Sequence, residues 1–222
     1  MVNRLHADSI TQSFGTKKIL QDVFLSCETG KISGIIGPAG GGKSTLLQIM
    51  FGTIKGDTQF IKYNDTILKT LSDRKSRIAY LPQRTFFLPK NIRIKNLISL
   101  FCNEENREKL YHLNMMKPFL EETTRDLSGG EKRIVETLLI LYSEADFILL
   151  DEPFSGISPK FCDEMERIIK RQSAYKGIII SDHNYEPLFR MADDIYFLAQ
   201  TYLRKIKDFE ELKQFNYLPK SF

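Results

Sequence analysis

A glycine-rich run at residues 37–44 has the spacing of a loop that binds phosphate groups. It reads Gly-Pro-Ala-Gly-Gly-Gly-Lys-Ser, and it lies between Ile32–Ile36, which predicts a buried strand, and Lys43–Phe51, which predicts a helix. Backbone N–H groups can wrap a polyphosphate only where no Cβ intrudes, and the N-terminus of the helix adds partial positive charge. A chance glycine-rich turn would lack this strand–loop–helix setting. We expect a nucleotide to bind Gly37, Gly40, Gly42, Lys43, Ser44 and Thr45, with Lys43 on the β- and γ-phosphates and Ser44 on Mg²⁺.

Two adjacent carboxylates, Asp151 and Glu152, directly follow the apolar run at residues 147–150. A strand in a parallel sheet buries both faces, so polar chemistry emerges at its C-terminal end. Asp151 is placed to hold Mg²⁺ through its water shell, and Glu152 to orient and deprotonate an attacking water. An acidic turn after a core strand is the alternative for the pair by itself. Beside a phosphate loop, the pair predicts transfer of a phosphoryl group to water.

A sheet must position these residues, and the apolar runs of the chain predict one. Four further short runs have the length of buried strands, and helical stretches at residues 159–173 and 184–192 alternate with the later ones, as crossovers in a parallel sheet do. We therefore expect an α/β fold: a P-loop NTPase core with a mostly parallel sheet, an N-terminal antiparallel β-subdomain and an inserted helical subdomain. The prediction is a single domain, 1–222, with the helical subdomain at about 84–126. The predicted strands are 78–81, 147–150, 178–180 and 195–198, and β-like runs occupy 5–14 and 19–27.

Composition, charge and cysteine content indicate which classes of protein the chain can belong to. The 222 residues are 42% hydrophobic and 27% charged, which suits one core with room for a subdomain. A net charge of +4 is too small to indicate a nucleic-acid partner, and three widely spaced cysteines without a C-x-x-C pair predict reduced thiols rather than disulfides or zinc. No apolar run reaches the roughly 18–20 residues that cross a bilayer, and residues 1–8 lack the apolar segment of an export signal. These features predict a cytoplasmic protein that reaches a membrane only through a partner.

The sequence Leu-Ser-Gly-Gly-Glu at residues 127–131 resembles the L-S-G-G-Q signature of ATP-binding-cassette (ABC) ATPases, with Glu131 where Gln is usual. The order of motifs is also similar: phosphate loop, Leu-Pro-Gln ending at Gln83, signature, acidic strand end, and Ser-Asp-His-Asn at residues 181–184. The resemblance spans essentially the whole chain.

This resemblance implies ATP and Mg²⁺ as cofactors, and two ATPase subunits arranged head to tail. Ser128, Gly129 and Gly130 of one subunit would then close over the γ-phosphate bound by the other, although Ser128 and Glu131 also form a capping-box pattern and both roles are compatible.

The same resemblance implies roles for three further residues. Gln83 would contact Mg²⁺ or the attacking water, His183 would contact the γ-phosphate, and Phe14 would stack on adenine. Each residue also has an ordinary alternative: a solvated loop residue, a structural histidine, and a core aromatic residue of a strand. The implied catalytic set is Glu152, His183 and Gln83, and the implied metal ligands are Ser44, Gln83 and Asp151.

Two positions depart from the family pattern. Many ABC ATPases carry an Asp in the loop after the acidic strand, where this chain has Ser158, so coupling between the two sites of a dimer is expected to be weaker or different. Glu131 adds a carboxylate near the dimer seam. Neither change touches Lys43, Ser44, Asp151 or Glu152, so hydrolysis is expected to be retained.

The resemblance also implies a membrane partner, because the importing and exporting members dock a permease helix beside the Gln83 loop. Residues 86–88, Phe-Phe-Leu, either line that docking groove or fill the seam between the core and the helical subdomain. Lys90, Arg93 and Lys95 either approach lipid head groups or form a solvated face.

We therefore predict the ATP-hydrolysing subunit of a multi-subunit ABC transporter. It would pair with a second ABC ATPase subunit, in a homodimer, around two ATP and drive an integral-membrane permease from the inner face of the cell membrane, without a nucleic-acid partner. The alternatives are a soluble ABC ATPase with a non-transport role, and a nucleotide-binding regulator or P-loop kinase. The sequence leaves open the cargo, the direction of transport, the identity of the permease, and whether the pair is a homodimer or a heterodimer.

Overall fold

The central sheet has the strand order β10-β9-β3-β8-β7-β6, and its strands are parallel except for β10. The computed structural model describes residues 2–84 and 91–214. The strands are β1 (Arg4–Phe14), β2 (Lys17–Glu28), β3 (Ile32–Ile36), β4 (Thr58–Tyr63), β5 (Thr66–Ile67), β6 (Ile78–Leu81), β7 (Phe147–Asp151), β8 (Gly177–Asp182), β9 (Asp194–Ala199) and β10 (Tyr202–Ile206). The helices are α1 (Lys43–Phe51), α2 (Leu71–Lys75), α3 (Ile94–Phe101), α4 (Glu104–His112), a 3₁₀ turn (Lys117–Phe119), α5 (Gly129–Leu141), α6 (Pro159–Ser173), α7 (Tyr185–Met191) and α8 (Phe209–Gln214).

Both faces of the central sheet are buried along its inner parallel strands, which explains why those strands are mostly apolar. Along β7, Ile148 and Leu150 pack into one hydrophobic core together with residues of α3, α5 and α6. Phe147 and Leu149 point the other way, into a second core with α1 and the N-terminal strands. Since all parallel strands end at one edge, the loops after β3, β6, β7 and β8 meet there.

A second, antiparallel sheet with the order β2-β1-β4-β5 covers the second core. Strands β1 and β2 form a hairpin that turns at Gly15, which has a φ of +59°. This turn places Phe14 at the tip of the hairpin. The N-terminal antiparallel sheet predicted from the sequence is therefore confirmed.

The helical segment predicted between the phosphate loop and the signature is also confirmed. Helices α3 and α4 and the 3₁₀ turn follow β6, and Leu97, Ile98, Leu110 and Phe119 pack into the first core with α5. Residues 86–88, predicted to line a docking groove or fill the seam, and Lys90, predicted to approach lipid head groups or form a solvated face, lie outside the described residues.

Most predicted elements agree with the structure, and α1 and α6 have the predicted bounds. The region that the sequence did not predict is 58–75, which forms β4, β5 and α2. Cys27, Cys102 and Cys162 are free thiols; the first two are buried, and Cys162 is half-buried. Among the described residues, no helix combines the length and apolar character needed to cross a membrane.

Candidate active site

The glycine-rich loop connects β3 to α1, and its glycines are required by the backbone. A Cβ on Gly37 would lie 2.2 Å from the carbonyl oxygen of Leu198. Gly42 has a φ of +101°, and a Cβ there would lie 2.9 Å from Cγ2 of Ile19. Gly42 is also the N-cap of α1 and offers no side chain to the first N–H groups of the helix. Those groups therefore remain available to an anion.

Lys43 folds back over this loop. Its Nζ donates hydrogen bonds to the carbonyl oxygens of Gly37 at 2.8 Å and Pro38 at 3.1 Å, and the residue is only 5% exposed. Burial lowers the pKa of Lys43, whereas the nearby carboxylates of Glu152, Asp151 and Asp182 act in the opposite direction. A buried cation held by two neutral carbonyls is well suited to receive the more negative oxygens of a phosphate group.

An open cleft gathers most of the predicted binding residues. Phe14 is 52% exposed, so the alternative role of a core aromatic residue does not apply to it. Gln83, just after β6, is exposed and faces the same cleft. The lining residues are Phe14, Ile19, Ala39, Gly40, Gly41, Gly42, Lys43, Ser44, Thr45, Gln83 and Glu152.

Asp151 lies behind the cleft, at the end of β7, and is 1% exposed. Its Oδ1 accepts a hydrogen bond from Oγ of Ser181 at 2.5 Å, and its Oδ2 accepts one from the hydroxyl of Tyr80 at 3.3 Å. Burial, together with Asp151, raises the pKa of Tyr80 well above its ordinary value, so the phenol remains a donor. The two hydroxyls satisfy a carboxylate that burial would otherwise penalise.

Glu152 extends from β7 into the cleft with a left-handed backbone, at a φ of +51°. Its N–H donates to the carbonyl oxygen of Ser181 at 2.8 Å. Its Oε1 lies 3.3 Å from Nδ1 of His183, and that nitrogen lies 3.6 Å from Oδ1 of Asp182. Burial raises the pKa of Asp182 above that of an ordinary aspartate. The structure therefore brings together the two side chains predicted to handle the attacking water and the γ-phosphate.

The signature segment occupies a different place in the fold. Ser128 caps α5: its N–H donates to Oε2 of Glu131 at 2.8 Å, and the N–H of Glu131 donates to Oγ of Ser128 at 3.3 Å. Ser128 and Gly129 are exposed, and a Cβ on Gly130 would lie 2.3 Å from the carbonyl oxygen of Gly156. The capping box predicted from the sequence is present, and the described residues that line the cleft do not include this segment.

Arg133 is a residue of this site that the sequence did not single out. The residue is 4% exposed, and its guanidinium donates to backbone carbonyls just after β6 and β7. Tyr80 and Ser181, which hold Asp151, were also missed. The signal available for Arg133 was a charged pair, Arg133 and Glu136, one helical turn apart in the part of α5 where most residues are apolar and buried.

Three other predicted features lie away from the cleft. Arg93 and Lys95 are exposed and lie 3.6 Å and 3.9 Å from the carboxylate of Glu121, which favours the solvated-face interpretation for these two residues. Ser158 is the N-cap of α6 but makes no side-chain capping hydrogen bond.

A metal ion at the cleft would find oxygen donors of the kind that Mg²⁺ binds. Ser44 and Gln83 line the cleft, and Asp151 lies directly behind it. Among the described residues, no group of three or more His, Cys, Asp or Glu side chains is arranged to hold a metal ion. This donor set suits Mg²⁺ that arrives with a nucleotide, because Mg²⁺ usually binds one or two protein ligands, the phosphates and several waters.

Comparison with known proteins decides the family. The model of the family described as ABC transporter matches residues 20–155, which is more than half of the chain. The chain belongs to the ABC transporter family. It is similar to the lipopolysaccharide export system ATP-binding protein LptB of Escherichia coli (strain K12), with 32% identity over 213 residues, 90% of this chain and 88% of the relative. A probable ABC transporter ATP-binding protein of Cyanophora paradoxa is 34% identical over 196 residues, covering 82% of this chain and 79% of the relative.

Solved structures share the fold. An ATP-binding subunit of an ABC transporter superposes with a TM-score of 0.81 at 22% identity, covering 96% of this chain and 93% of that one. An ATP-binding cassette in its ADP conformation superposes with a TM-score of 0.78 at 23% identity, covering 98% and 96%. This ABC protein is thus an ATP-binding and ATP-hydrolysing subunit of a transporter, a class that dimerises and works with membrane components.

Proposed function

We propose that two copies of this chain form a homodimer around two ATP molecules with Mg²⁺, and that closure and hydrolysis drive a separate integral-membrane permease. One observation carries the proposal: the cleft contains the phosphate loop and Glu152, but its described lining does not include the signature residues Ser128–Gly130. These lie at the start of α5, where Ser128 and Gly129 are exposed. A second copy, placed head to tail, would supply its own signature residues to the open side of the cleft.

ATP binding is assigned to one wall of the cleft. The adenine ring would stack on Phe14, whose exposed ring stands at the tip of the β1–β2 hairpin. The phosphates would meet the uncapped N–H groups at the start of α1, and Lys43 would exchange its two carbonyl partners for phosphate oxygens.

Mg²⁺ would be held by Ser44 and Gln83 beside the phosphates. Its chemistry would be to neutralise the negative charge that develops on the phosphates during transfer. Asp151 would act through the water shell, because both of its oxygens already accept hydrogen bonds from Ser181 and Tyr80. These two hydroxyls would keep the carboxylate oriented.

Hydrolysis is assigned to Glu152, with His183 beside it. The Oε1 of Glu152 would accept the proton of the attacking water, and His183, 3.3 Å away, would orient that carboxylate and contact the γ-phosphate. The partner's Ser128, the partner's Gly129 and the partner's Gly130 would donate to the same phosphate. Loss of the γ-phosphate on hydrolysis would remove the link between the two copies and open the dimer.

We place the protein at the inner face of the cell membrane, where the permease would hold it. The absence of an acidic side chain at Ser158 supports weaker coupling between the two ATP sites than in relatives that carry Asp there. We assign no cargo, because in this arrangement the permease selects it.

The test of the hydrolytic assignment is ATP turnover by the full chain and by Glu152→Gln. We expect the variant to lose turnover by a factor of about 100 or more, the usual contribution of a general base, with ATP affinity within about twofold of the unmodified chain. Glu108→Gln, which changes an exposed carboxylate on α4, is the matched control and should leave turnover unchanged. Retention of more than half of the turnover by Glu152→Gln would contradict the assignment.

A further inference from the structure

Arg133 lies in the second turn of α5 with its guanidinium buried against the ends of two strands. Its Nη1 donates to the carbonyl oxygen of Pro82 at 2.7 Å. Its Nη2 donates to the carbonyl oxygen of Glu152 at 3.1 Å and also to that of Asp151. Glu136 lies 3.7 Å away on the same helix and balances the charge.

These acceptors are the backbone groups that carry the proposed catalytic side chains. Pro82 immediately precedes Gln83, and the carbonyls of Asp151 and Glu152 lie on either side of the Glu152 α-carbon. One side chain therefore ties together the loops that follow β6 and β7. A guanidinium can do this because its donors form a rigid planar fork, whereas an ammonium is a single point charge.

The backbone at Glu152 needs such support. A non-glycine residue at a φ of +51° lies in a sparsely populated region, and surrounding contacts must maintain it. The N–H of Glu152 is held by the Ser181 carbonyl at 2.8 Å, and its carbonyl accepts from the N–H of Ser155 at 3.2 Å as well as from Arg133. Of these three hydrogen bonds to the Glu152 backbone, the one from Arg133 is the one that connects it to helix α5.

Helix α5 touches the same loop at a second point. A Cβ on Gly130 would lie 2.3 Å from the carbonyl oxygen of Gly156, so the backbones of the signature and of the loop after Glu152 are in direct contact. Gly130 and Arg133 are three residues apart and lie on one face of α5. The helix that begins with the signature is thus joined to the loop that begins with Glu152.

We propose that Arg133 is a positioning residue for ATP hydrolysis: it holds the backbone of Glu152 and of the segment before Gln83 in register with α5. This inference rests on the proposed role of Glu152. It predicts an effect on the chemical step and not on the binding of ATP, because none of the three carbonyls belongs to the phosphate loop.

The experiment compares the kcat and KM of ATP turnover, and ATP affinity measured with a fluorescent nucleotide, in variants of the full chain. Removing Arg133 alone would leave the buried charge of Glu136 without its counter-charge, so the test variant is Arg133→Met/Glu136→Gln, with Glu136→Gln as its reference. Arg74→Met is the matched control, since Arg74 is a second buried arginine, 3% exposed, that donates to the carbonyls of Leu68 and Ile49 away from Glu152. All variants are assayed below the onset of their thermal unfolding.

We expect the double variant to lose about 100-fold in kcat relative to Glu136→Gln, a loss that a displacement of about 1 Å can cause, with ATP affinity within about twofold. Arg133→Lys keeps the positive charge but not the planar fork of donors, so it should recover only part of the lost kcat. Arg74→Met should lower the melting temperature and leave kcat unchanged.

Three results would overturn the inference while the role of Glu152 stands, that is, while Glu152→Gln abolishes turnover. They are an unchanged kcat in the double variant, a loss of ATP affinity equal to the loss of kcat, and an equal loss of kcat in Arg74→Met. If Glu152→Gln itself retains turnover, the proposed function fails first, and the inference about Arg133 fails with it.

Discussion

The phosphate loop at residues 37–42 and the signature segment at residues 127–130 both place glycines at the start of a helix, before α1 in the first case and in the first turn of α5 in the second. In the phosphate loop, close approach and a left-handed backbone require glycine, and the N-cap Gly42 leaves the first N–H groups of α1 without a side-chain partner. In the signature segment, Ser128 and Glu131 cap α5 reciprocally, and a Cβ on Gly129 would meet no atom within 4 Å.

The two helix N-termini are therefore suited to different kinds of contact. The start of α1 is incomplete without an anion, and the cleft beside it is formed within one chain. The start of α5 has a side-chain cap of its own, which satisfies the N–H of Glu131, and it exposes Ser128 and Gly129, small residues that a second molecule can approach closely. The phosphate loop is therefore suited to bind the chain's own ATP, and the signature is suited to contact ATP bound by another copy.

The sharpest test of this contrast adds one methyl group to each segment. Gly37→Ala places a Cβ 2.2 Å from the Leu198 carbonyl oxygen, so the loop must shift. We expect ATP affinity to fall by about 100-fold, in line with the effect of a misplacement of about 1 Å. Gly129→Ala should leave the ATP affinity of the single chain unchanged but reduce turnover, because its methyl group would enter the dimer seam.

ATP affinity measured with a fluorescent nucleotide, and turnover, check both variants. Equal losses of ATP affinity in Gly37→Ala and Gly129→Ala would remove the distinction between the two segments.

A second test concerns the adenine end of the cleft. Phe14→Ala should lower ATP affinity by about tenfold, since stacking of a base on an aromatic ring contributes about 1–3 kcal/mol. The matched control is Phe24→Ala, because Phe24 has the same exposure of 52% but lies on β2 outside the cleft lining. Titration with a fluorescent nucleotide should show the loss for Phe14 alone. Equal affinities of the two variants would exclude Phe14 from the site.

The smallest expected effect concerns the capping of α5. Hydrogen bonds from the Ser128 side chain and backbone hold the pKa of the Glu131 carboxyl below its usual value. A carboxyl whose pKa is lowered by folding stabilises the protein above its unfolded-state pKa, and this contribution is lost as the pH falls through the folded-state value. Relative to Glu131→Gln, the unmodified chain should be more stable at pH 7 by about 0.5 kcal/mol.

Urea unfolding of both proteins between pH 7 and pH 3 measures this difference. It should diminish once the pH falls below the ordinary pKa of a glutamate. A difference that stays constant over this range would show that the charge of Glu131 does not contribute to the cap.

Much of the fold could be predicted because its strands are buried on both faces. Apolar runs such as Ile78–Leu81, bounded by turn residues, predict parallel strands, and the bounds of α1 and α6 were predicted to the residue. Residues 58–75 could not be predicted in the same way. Strand β4 has one fully buried position, Ile61, among exposed and half-exposed residues, so its pattern differs little from that of a loop.

The cleft could be predicted where local motifs form it. The phosphate loop, Glu152 and Gln83 converge because parallel strands end at one edge of the sheet. The residues that hold this edge together could not be predicted, because their contacts depend on strand register and helix packing. Arg133 reaches carbonyls 18, 19 and 51 residues away in the chain, and sequence patterns carry no signal for such contacts.

The central claim, that one copy's signature completes another copy's ATP site, is tested most directly by the mass of Glu152→Gln in solution, measured by light scattering with and without Mg-ATP. The account predicts that the mass doubles from 25.8 kDa when Mg-ATP is added and that Ser128→Ala in the same background weakens this doubling. A mass that stays at that of one chain while ATP is bound would contradict the homodimer.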